Sequence, residues 1–495
     1  MKPLRLAESV YRDKVYACWL GKNLGGTFGA PWEGQKQAHS LTFYDPVPSE
    51  PLPNDDLDLQ LVWLKLLQDR GVRPSPGDLA DYWLAHLHAY PWNEYGFCGR
   101  NLERGLRPPI SGCFENYFVD EMGSPIRSEI WACVAPGDPA LAASLAWYDA
   151  ALDHAGGEGV YGELFWAAVQ SAAFVFSDAL TLIQIGLAMI PVHCVISRAV
   201  RDAVWSYQNG ANWEEARERI LYNFGLAQPC SAPQNHGFTI LGWLYGRDFG
   251  ERLCAAVNCG YDTDCTAATL GATLGLLGGT AGIPAEWSAP VGDRVILHGY
   301  TRDLPAPATL GELTDQTVAV GREMLAQRSA VVELAEASAL PEDLLSLLFD
   351  NYRAQAALHR DWQSAIEVAD GYEVALHYNG EPVLRPGIAK TLGVSVREAE
   401  RPDVLVAAPA RLTAPEDWQV EPAPAALGQQ RFTLRAHRVP PRSTVEVTVA
   451  LPAGERVFSY TVLGPAEAQG FPAGLNVPGC ETCGARRGHC ACGCA

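Results

Sequence analysis

Paired aspartates occur at two distant places in the sequence, and in each place a loop passes into an apolar helix. Asp55 and Asp56 lie in "NDDLDLQLVWLKLL", and Asp262 and Asp264 lie in "GYDTDCTAATLGATLG". Carboxylates in a first helical turn accept backbone N–H bonds and interact favourably with the helix dipole, so either pair could cap its helix. A cap needs only one acceptor, however, and two half-buried carboxylates repel each other unless a cation lies between them.

Oxygen-rich clusters of this kind suit the hard divalent cations Mg²⁺, Mn²⁺ and Ca²⁺. Four carboxylates can hold two ions about 3.5 to 4 Å apart if the two helix starts face each other. The helix after Asp264 contains Gly271, Gly275, Gly278 and Gly279, which let another backbone approach closely and indicate a position deep in the domain. From spacing alone, helix capping and cation binding both account for these residues.

Helices are predicted around both clusters, from Leu6 to about Asp361. Over this range apolar residues recur at helical spacing between Gly, Pro and Asn breaks, and alternating β-branched residues are scarce. Stop signals such as Gly71 and Gly156 follow several of the periodic segments. The clearest helical segments are 8–29, 57–71, 76–90, 140–157 and 212–225.

The pattern changes after the helical part, where short alternating strands follow one another with turn residues such as Asn379-Gly380 between them. We therefore predict a mainly all-α fold with three parts. These are a helical catalytic domain at 1–362, a small accessory β-sandwich at 363–463, and a linker with a Cys-rich tail at 464–495.

The composition is that of a globular protein that does not bind nucleic acid. Of 495 residues, 48% are hydrophobic and 19% are charged, and the formal net charge is -20. Nucleic acids and anionic membranes are bound by clustered Lys and Arg, so this acidic chain would repel them. A small-molecule or protein substrate is expected instead.

The apolar run Leu164–Val192 is long enough to span a bilayer. Asp178 lies within it, and a carboxylate at mid-span costs about 2.5 to 3.5 kcal/mol, so we expect a pair of core helices there and no membrane segment. Near the start of the chain, Glu8 and Arg12 interrupt any apolar signal region. Together with nine scattered cysteines before residue 266, which suit reduced thiols, this predicts a cytoplasmic protein.

Five motifs resemble, in order, those of the ADP-ribosylglycohydrolase family, which includes the dinitrogenase reductase-activating glycohydrolase and the ADP-ribosyl-acceptor hydrolases. The resemblance covers residues from about 10 to 290. Its motifs are "GKNLGGTFGAPWEG", "NDDLDL", "MGSPIRSEIWACVAPGDP", "DAALDHAGGEGVYGELFWAAV" and "GYDTDCTAATLGATLG".

The resemblance implies an all-α bundle with two divalent cations, Mg²⁺ or Mn²⁺, in a central cleft. The chain departs from the family motifs at Gly26, where Asp is usual, and at Asn54 and Cys265, where a hydroxyl residue is usual, so this is a divergent member. Asn54 can still ligate through its amide oxygen, but a Cys265 sulfur is soft and suits these ions poorly. The implied metal ligands are Asn54, Asp55, Asp56, Asp262, Asp264 and Cys265.

The implied reaction is hydrolysis of an N- or O-glycosidic bond at a ribose-like anomeric carbon, with an ADP-ribosyl-type substrate. Glu33, carried over from the first motif, is the leading acid/base candidate, and Glu94 and Glu129 compete with it. A solvated loop carboxylate is the structural alternative for Glu33. The implied substrate-binding residues are Gly123, Ser124, Arg127 and His154, with Trp92 and Tyr95 as stacking candidates.

Structural roles compete with these assignments. His154 could be a helix C-terminal residue, Arg127 could pair with an acid, and most aromatic residues pack in cores. Two other functions stay open: hydrolysis of a small furanoside, nucleoside or carbohydrate glycoside, and binding of an ADP-ribose-like ligand without catalysis. In the tail, Zn²⁺ could be bound by Cys480, Cys483, Cys490 and Cys492, although a redox-sensitive or metal-scavenging tail explains the same spacing.

Overall fold

The computed structural model describes residues 3–468, and its first part is a bundle of α-helices. A parallel pair of short strands, β1 (Leu4–Ala7) and β2 (Val332–Ala335), joins the two ends of this bundle. The helices are α1 (Glu8–Gly29), α2 (Asp55–Arg70), α3 (Pro76–His86), α4 (Asn93–Glu103), α5 (Ile110–Cys113), α6 (Ser128–Val134), α7 (Pro139–Asp153), α8 (Glu158–Ala173), α9 (Ala179–Met189), α10 (Val195–Gln208), α11 (Trp213–Phe224), α12 (Ala232–Tyr245), α13 (Phe249–Asn258), α14 (Thr263–Gly278), α15 (Ala285–Ser288), α16 (Leu310–Arg328), α17 (Leu344–Leu348) and α18 (Tyr352–Ala357).

Helices α1 and α14 form the centre of the bundle and run antiparallel with their backbones in contact. A Cβ atom on Gly21 would overlap the carbonyl of Gly271, and one on Gly25 would overlap the carbonyl of Ala267. Glycines therefore permit a separation that any larger residue would prevent. The antiparallel contact places the C-terminus of α1 beside the N-terminus of α14, next to Asp262.

Between residues 164 and 192 the structure has the predicted pair of core helices, α8 and α9. Helix α8 is buried, and α9 begins at a cap in which the exposed Asp178 side chain accepts a hydrogen bond from Thr181 N at 2.9 Å. Asp178 therefore marks a helix start at the surface. Within residues 3–468, no helix has the combination of length and apolarity that a bilayer crossing requires.

The C-terminal part consists of two antiparallel sheets. One has six strands in the order β3-β4-β5-β9-β8 with β6 paired to β5, and the other has three in the order β11-β10-β7. Their inward side chains, such as Val394 on β5 and Val447 on β10, share one hydrophobic core. The strands are β3 (Ser364–Ala369), β4 (Tyr372–His377), β5 (Lys390–Glu398), β6 (Arg401–Leu405), β7 (Ala410–Thr413), β8 (Gln419–Ala426), β9 (Gln429–Arg435), β10 (Arg442–Leu451) and β11 (Gly454–Leu463).

A buried ion pair connects the helices to the first sheet. Arg360 follows the last helix, and its Nε lies 3.0 Å from Oε2 of Glu373 on β4. The Tyr148 hydroxyl on α7 donates to Glu373 Oε1 at 2.7 Å. The mainly helical fold with a separate C-terminal β region is confirmed. The exact domain limits remain a prediction, and the four tail cysteines lie outside the described residues.

Candidate active site

The first aspartate pair lies at the start of α2, where Asn54 is the N-cap. Asn54 Oδ1 accepts a hydrogen bond from Asp56 N at 2.8 Å. The other end of this amide fills the space beside α1, because a Cβ atom on Gly26 would overlap Asn54 Nδ2. The two departures from the family motifs, Gly26 and Asn54, are therefore sterically complementary. Asn54 caps the helix with the oxygen that was predicted to bind metal.

The second pair lies at the start of α14, behind a left-handed turn. Gly260 and Tyr261 have φ values of 72° and 69°, and a side chain at Gly260 would crowd the carbonyl oxygens of the loop after Glu33. Tyr261 N donates to Gln35 O at 2.7 Å, and Gly34 N donates to Tyr261 O at 2.8 Å. This backbone pairing holds the loop that carries Glu33 against Asp262.

The fold brings the two predicted pairs together. Ligand atoms of Asp56, Asp264 and Cys265 lie within 4.8 Å of one another, although Asp56 is more than 200 positions away from the other two in sequence. A second group, formed by Glu33, Cys230 and Asp262, is equally close. Two adjoining groups of acidic ligands therefore occupy the junction of α1, α2 and α14.

Several of these carboxylate oxygens are buried without a donor. Within residues 3–468, both oxygens of Asp262 and the Oδ1 atom of Asp264 lack a hydrogen-bond partner. Asp262 is 1% exposed and Asp264 is 8% exposed. Burial, followed by the charge of Asp264, raises the pKa of Asp262 well above its usual range. Burial and then Glu33 and Asp56 raise the pKa of Asp264 to about 8. Burial and Asp56 likewise raise the pKa of Asp55.

Asp56 differs from the other three aspartates because protein groups face both of its oxygens. Lys22 Nζ lies 3.1 Å from Oδ2, and the Cys265 thiol donates to Oδ1 at 3.5 Å. Burial and the neighbouring carboxylates raise the pKa of Cys265, which keeps it a neutral thiol. Lys22 is itself buried and 1% exposed. Its charge compensates that of Asp56 without any metal.

A cavity of about 300 Å³ opens above the aspartates. Six of its lining residues carry carboxylates, and within residues 3–468 its lining includes no Lys or Arg. One wall is aromatic, because Trp92 is 41% exposed and packs against Tyr90 and Tyr300. The lining residues are Glu33, Asp55, Trp92, Asn93, Glu94, Tyr95, Glu121, Met122, Gly123, Ile126, Cys230, Asp262, Asp264 and Cys265.

The loop that carries Tyr300 is held by an aspartate of α2. Asp58 accepts hydrogen bonds from His298 N and from Thr301 Oγ1, both at 2.7 Å. Burial raises the pKa of this carboxyl to about 7, against the opposing effect of the hydrogen bonds. Asp58 thus has a structural role, in contrast to its neighbours at the start of the same helix.

Behind the Gly123 loop, which forms one side of the cavity, lies a buried network of charged residues. Arg127 is fully buried and forms ion pairs with Asp149 and Asp153 at 2.8 Å. Its Nη1 also donates to Gly123 O at 2.8 Å. Ser124 donates to the buried Glu163. Arg127 therefore holds the Gly123 loop from behind, and its side chain is not among those that line the cavity in the described structure.

His154 ends α7 between two acids. Its Nδ1 lies 2.9 Å from Asp153 Oδ1, and its Nε2 lies 3.6 Å from Glu94 Oε1. Burial by itself lowers the pKa of His154, but Asp153 and Glu94 outweigh it and raise the pKa to about 9. His154 is therefore an imidazolium that contacts Glu94 from behind, and Glu94 lies between it and the cavity.

A family model described as ADP-ribosylglycohydrolase matches residues 7–320, more than half of the chain. The chain belongs to the ADP-ribosylglycohydrolase family. A solved structure of an ADP-ribosylglycohydrolase-related protein complex is 21% identical to it; the comparison covers 64% of this chain and 99% of that chain, with a TM-score of 0.45. No protein with curated annotation matches the chain significantly. The resemblance inferred from the five motifs is confirmed, and family membership supports a glycohydrolase activity.

For a family of metal-dependent glycohydrolases, the residues present fit a hard divalent cation. Asp55 is half-buried, Asp262 and Asp264 are buried, and all three offer carboxylate oxygens to the cavity. The oxygens of the last two that have no donor within residues 3–468 need a cation or a proton. Asn54 and Cys265 fit less well, because one caps α2 and the other is a protonated thiol. The fit therefore rests on the aspartates.

The structure of this ADP-ribosylglycohydrolase family member also reveals site residues that the sequence analysis missed. Lys22 lies inside the first motif, and a lysine within an apolar, Gly-rich helix was the available signal. Glu121 is buried, lines the cavity and accepts hydrogen bonds from Asn93 and Gln228. Cys230 lies beside Glu33. No sequence pattern marks Glu121 or Cys230. Glu129, a predicted competitor of Glu33, is fully buried against Lys22 and outside the cavity lining of the described residues.

Proposed function

We propose that this protein is a divalent-cation-dependent hydrolase of an N- or O-glycosidic bond at a ribose-like anomeric carbon, with an ADP-ribosyl-type substrate. One observation carries the proposal: Asp262 and Asp264, which have buried oxygens without a donor among the described residues, line the same cavity as Asp55 and Glu33. An anionic cluster of this kind is costly in the absence of a cation. Family membership supplies the reaction class.

Asp55, Asp262 and Asp264 are the residues that would hold the cation. When bound, a divalent cation supplies Lewis-acid chemistry, which lowers the pKa of water and orients vicinal hydroxyls. The surrounding carboxylates also favour an oxocarbenium-like transition state, because positive charge develops on the sugar as the glycosidic bond breaks.

Glu33 is the proposed acid/base residue. The residue as a whole is exposed at the cavity mouth, and its carboxyl lies close to Asp262. Partial burial of this carboxyl, followed by the charges of Asp55 and Asp56, raises its pKa. A raised pKa makes the carboxyl of a glutamate a better proton carrier, because it holds its proton more strongly than an ordinary glutamate does. In the reaction the oxygen of water bonds to the anomeric carbon, the glycosidic bond breaks with its electron pair on the leaving atom, and Glu33 carries the proton of the water to that atom.

Glu94 is the second acid/base candidate and lies on the opposite wall. It is 5% exposed, and its Oε1 lies 3.6 Å from Nε2 of the His154 imidazolium. A buried carboxylate held in place by His154 suits a role in orienting the sugar or the leaving group. Gln substitutions at the two positions distinguish these roles, because Glu33→Gln lowers kcat whereas Glu94→Gln chiefly raises KM.

The aromatic candidates have different proposed roles. Trp92 presents an exposed ring to the cavity and is suited to stacking on a sugar or base. Tyr95 is 4% exposed, and its hydroxyl donates to Gly123 O at 3.1 Å. Tyr95 therefore positions the Gly123 loop at the cavity wall.

The absence of Lys and Arg from the described cavity lining favours a second candidate, hydrolysis of an uncharged furanoside or nucleoside. A diphosphate group would face six carboxylates with no side-chain cation to pair with it. The experiment compares ADP-ribosyl-arginine, ADP-ribosyl-serine, nucleosides and aryl furanosides with Mn²⁺ and with chelator. Turnover of any of them only with metal supports the proposal. Tight binding of ADP-ribose without turnover of any compound supports a non-catalytic protein instead.

A further inference from the structure

Lys22 is a buried cation built into the candidate metal centre. It lies on α1, one turn before Gly26, and is 1% exposed. Its side chain reaches Asp56 in the first turn of α2. A buried lysine is costly unless its charge is paired, so its partners define its role.

Three protein groups hold the Lys22 ammonium in place. It donates to Ile126 O at 2.8 Å and lies 3.2 Å from Glu129 and 3.1 Å from Asp56 Oδ2. Glu129 is fixed in turn by the side-chain amides of Gln60 at 2.9 Å and Gln170 at 3.0 Å. The ammonium therefore cannot move away from Asp56 without breaking a fully buried network.

Both oxygens of Asp56 are consequently engaged. Lys22 faces Oδ2, and the Cys265 thiol donates to Oδ1 at 3.5 Å. Asp56 Oδ2 receives no hydrogen bond, but the Lys22 ammonium pairs with it; within residues 3–468, both oxygens of Asp262 and Oδ1 of Asp264 are buried with neither a hydrogen bond nor an ion pair. Asp56 is thus the aspartate whose charge Lys22 already compensates, whereas Asp55, Asp262 and Asp264 line the cavity in the described structure.

We propose that Lys22 takes the place of one metal ion, so that the centre binds a single divalent cation tightly through Asp55, Asp262 and Asp264. A second dication that used Asp56 would lie within a few ångströms of the ammonium, and like charges in a buried site repel strongly. It would also have to break the hydrogen bond from the Cys265 thiol to Asp56, and the soft sulfur of Cys265 would then be one of its neighbours. This inference rests on the proposed metal dependence and replaces the pair of ions that the sequence resemblance implies.

The test counts Mn²⁺ ions on the full-length protein after removal of metal by chelation. Isothermal titration with MnCl₂ gives the number and affinity of sites, and electron paramagnetic resonance distinguishes an isolated Mn²⁺ from an exchange-coupled pair. We expect one tight ion with an uncoupled spectrum, and a second ion, if bound, at least about 100-fold more weakly because of its repulsion from Lys22. Two ions of similar affinity or a coupled spectrum would overturn the proposal.

The matched variant is Lys22→Met combined with Glu129→Gln, which removes both charges of the buried pair while keeping side-chain length. We expect this variant to bind a second Mn²⁺ with affinity within about tenfold of the first, since the repelling charge is gone. Asp262→Asn serves as the control that loses the tight site. If a circular dichroism spectrum shows that the double variant is unfolded, the number of Mn²⁺ ions bound by the wild-type protein decides whether the proposal holds. A single site in a folded double variant would show that Lys22 is not the cause.

The outcomes also separate this inference from the proposed function. Binding of two ions by the wild-type protein contradicts the role of Lys22 but leaves metal-dependent hydrolysis intact. Binding of no Mn²⁺ at all contradicts both. The ion count does not depend on knowing the substrate.

Discussion

The side-chain amide of Asn54 occupies the space that a side chain at position 26 would need. Gly26 and Asn54 therefore have to be considered as one change relative to the family motifs, in which Asp and a hydroxyl residue are usual. Compared with the family motifs, the centre lacks the carboxylate at position 26, and the larger Asn54 fits there as the cap of α2. The energetic coupling of the pair can be measured.

Gly26→Asp alone should destabilise the protein by about 1 to 3 kcal/mol, because it overpacks a buried contact. Asn54→Ser should be nearly neutral, since Ser caps helices as well as Asn. In the double variant most of the lost stability should return. Urea unfolding of the four proteins forms a double-mutant cycle, and additive effects would contradict the steric coupling.

Backbone contact between α1 and α14 predicts a strong effect of a single methyl group. Gly25→Ala would place a Cβ atom on the carbonyl of Ala267, so we expect a loss of about 3 kcal/mol or more and weaker Mn²⁺ binding. Gly278→Ala is the matched control on α14, because no atom of the described residues lies within 4 Å of its Cβ position. Its stability should stay within about 1 kcal/mol of wild type. Thermal unfolding checks both, and equal effects would argue against the close contact.

His154 predicts a loss of stability at alkaline pH. Its pKa is about 9 in the folded protein against an ordinary value of 6.5. The imidazolium therefore stabilises the fold fully below about pH 6.5, and this contribution disappears as the pH rises through about 9. The difference corresponds to at most about 3 kcal/mol.

Urea unfolding of wild type and His154→Gln between pH 6 and 10 measures this contribution. The gap between the two free energies of unfolding should narrow as the pH rises. The exposed His193 provides the control His193→Gln, which should follow the wild-type profile. A constant gap across the range would show that folding does not raise the pKa of His154.

The Arg360–Glu373 ion pair predicts strong coupling between the helices and the first sheet. Glu373→Ala leaves a fully buried guanidinium unpaired and should cost about 3 to 5 kcal/mol. Replacing both partners, as Arg360→Met with Glu373→Leu, removes the charges together and should cost much less. Denaturant unfolding measures both variants. A double variant as unstable as the single one would show that the contact depends on shape and not on charge.

Much of the fold was predictable because it follows from local patterns. Helix α1 spans the predicted residues 8–29, and the change from helices to strands follows the change from helical to alternating periodicity. The convergence of Asp55 and Asp56 with Asp262 and Asp264 was implied by the family resemblance. Cavity-lining residues such as Glu121 could not be found, because their position depends on tertiary packing.

The contacts that decide the chemistry were the least predictable. Lys22 meets Ile126 and Glu129 across more than 100 residues of sequence, and no periodicity encodes such a contact. The residue type predicted that Asn54 could ligate metal, whereas the fold uses its oxygen as a helix cap. Local pattern identifies the groups available at a site, and packing determines which of their atoms remain free.

The central claim is that buried carboxylates at the start of α14 support cation-dependent cleavage of a glycosidic bond. The most direct measurement is the initial rate of glycoside hydrolysis by wild type, Asp262→Asn and Asp178→Asn, each with Mn²⁺ and with chelator. Asp178→Asn is the matched control, because it makes the same change at another helix start where the carboxylate only caps.

For this measurement we expect Mn²⁺-dependent turnover in wild type and in Asp178→Asn. In Asp262→Asn the rate should fall by about 1000-fold or more, because a carboxylate required for cation binding is lost. Undiminished turnover in Asp262→Asn, or equal wild-type rates with Mn²⁺ and with chelator, would contradict the account.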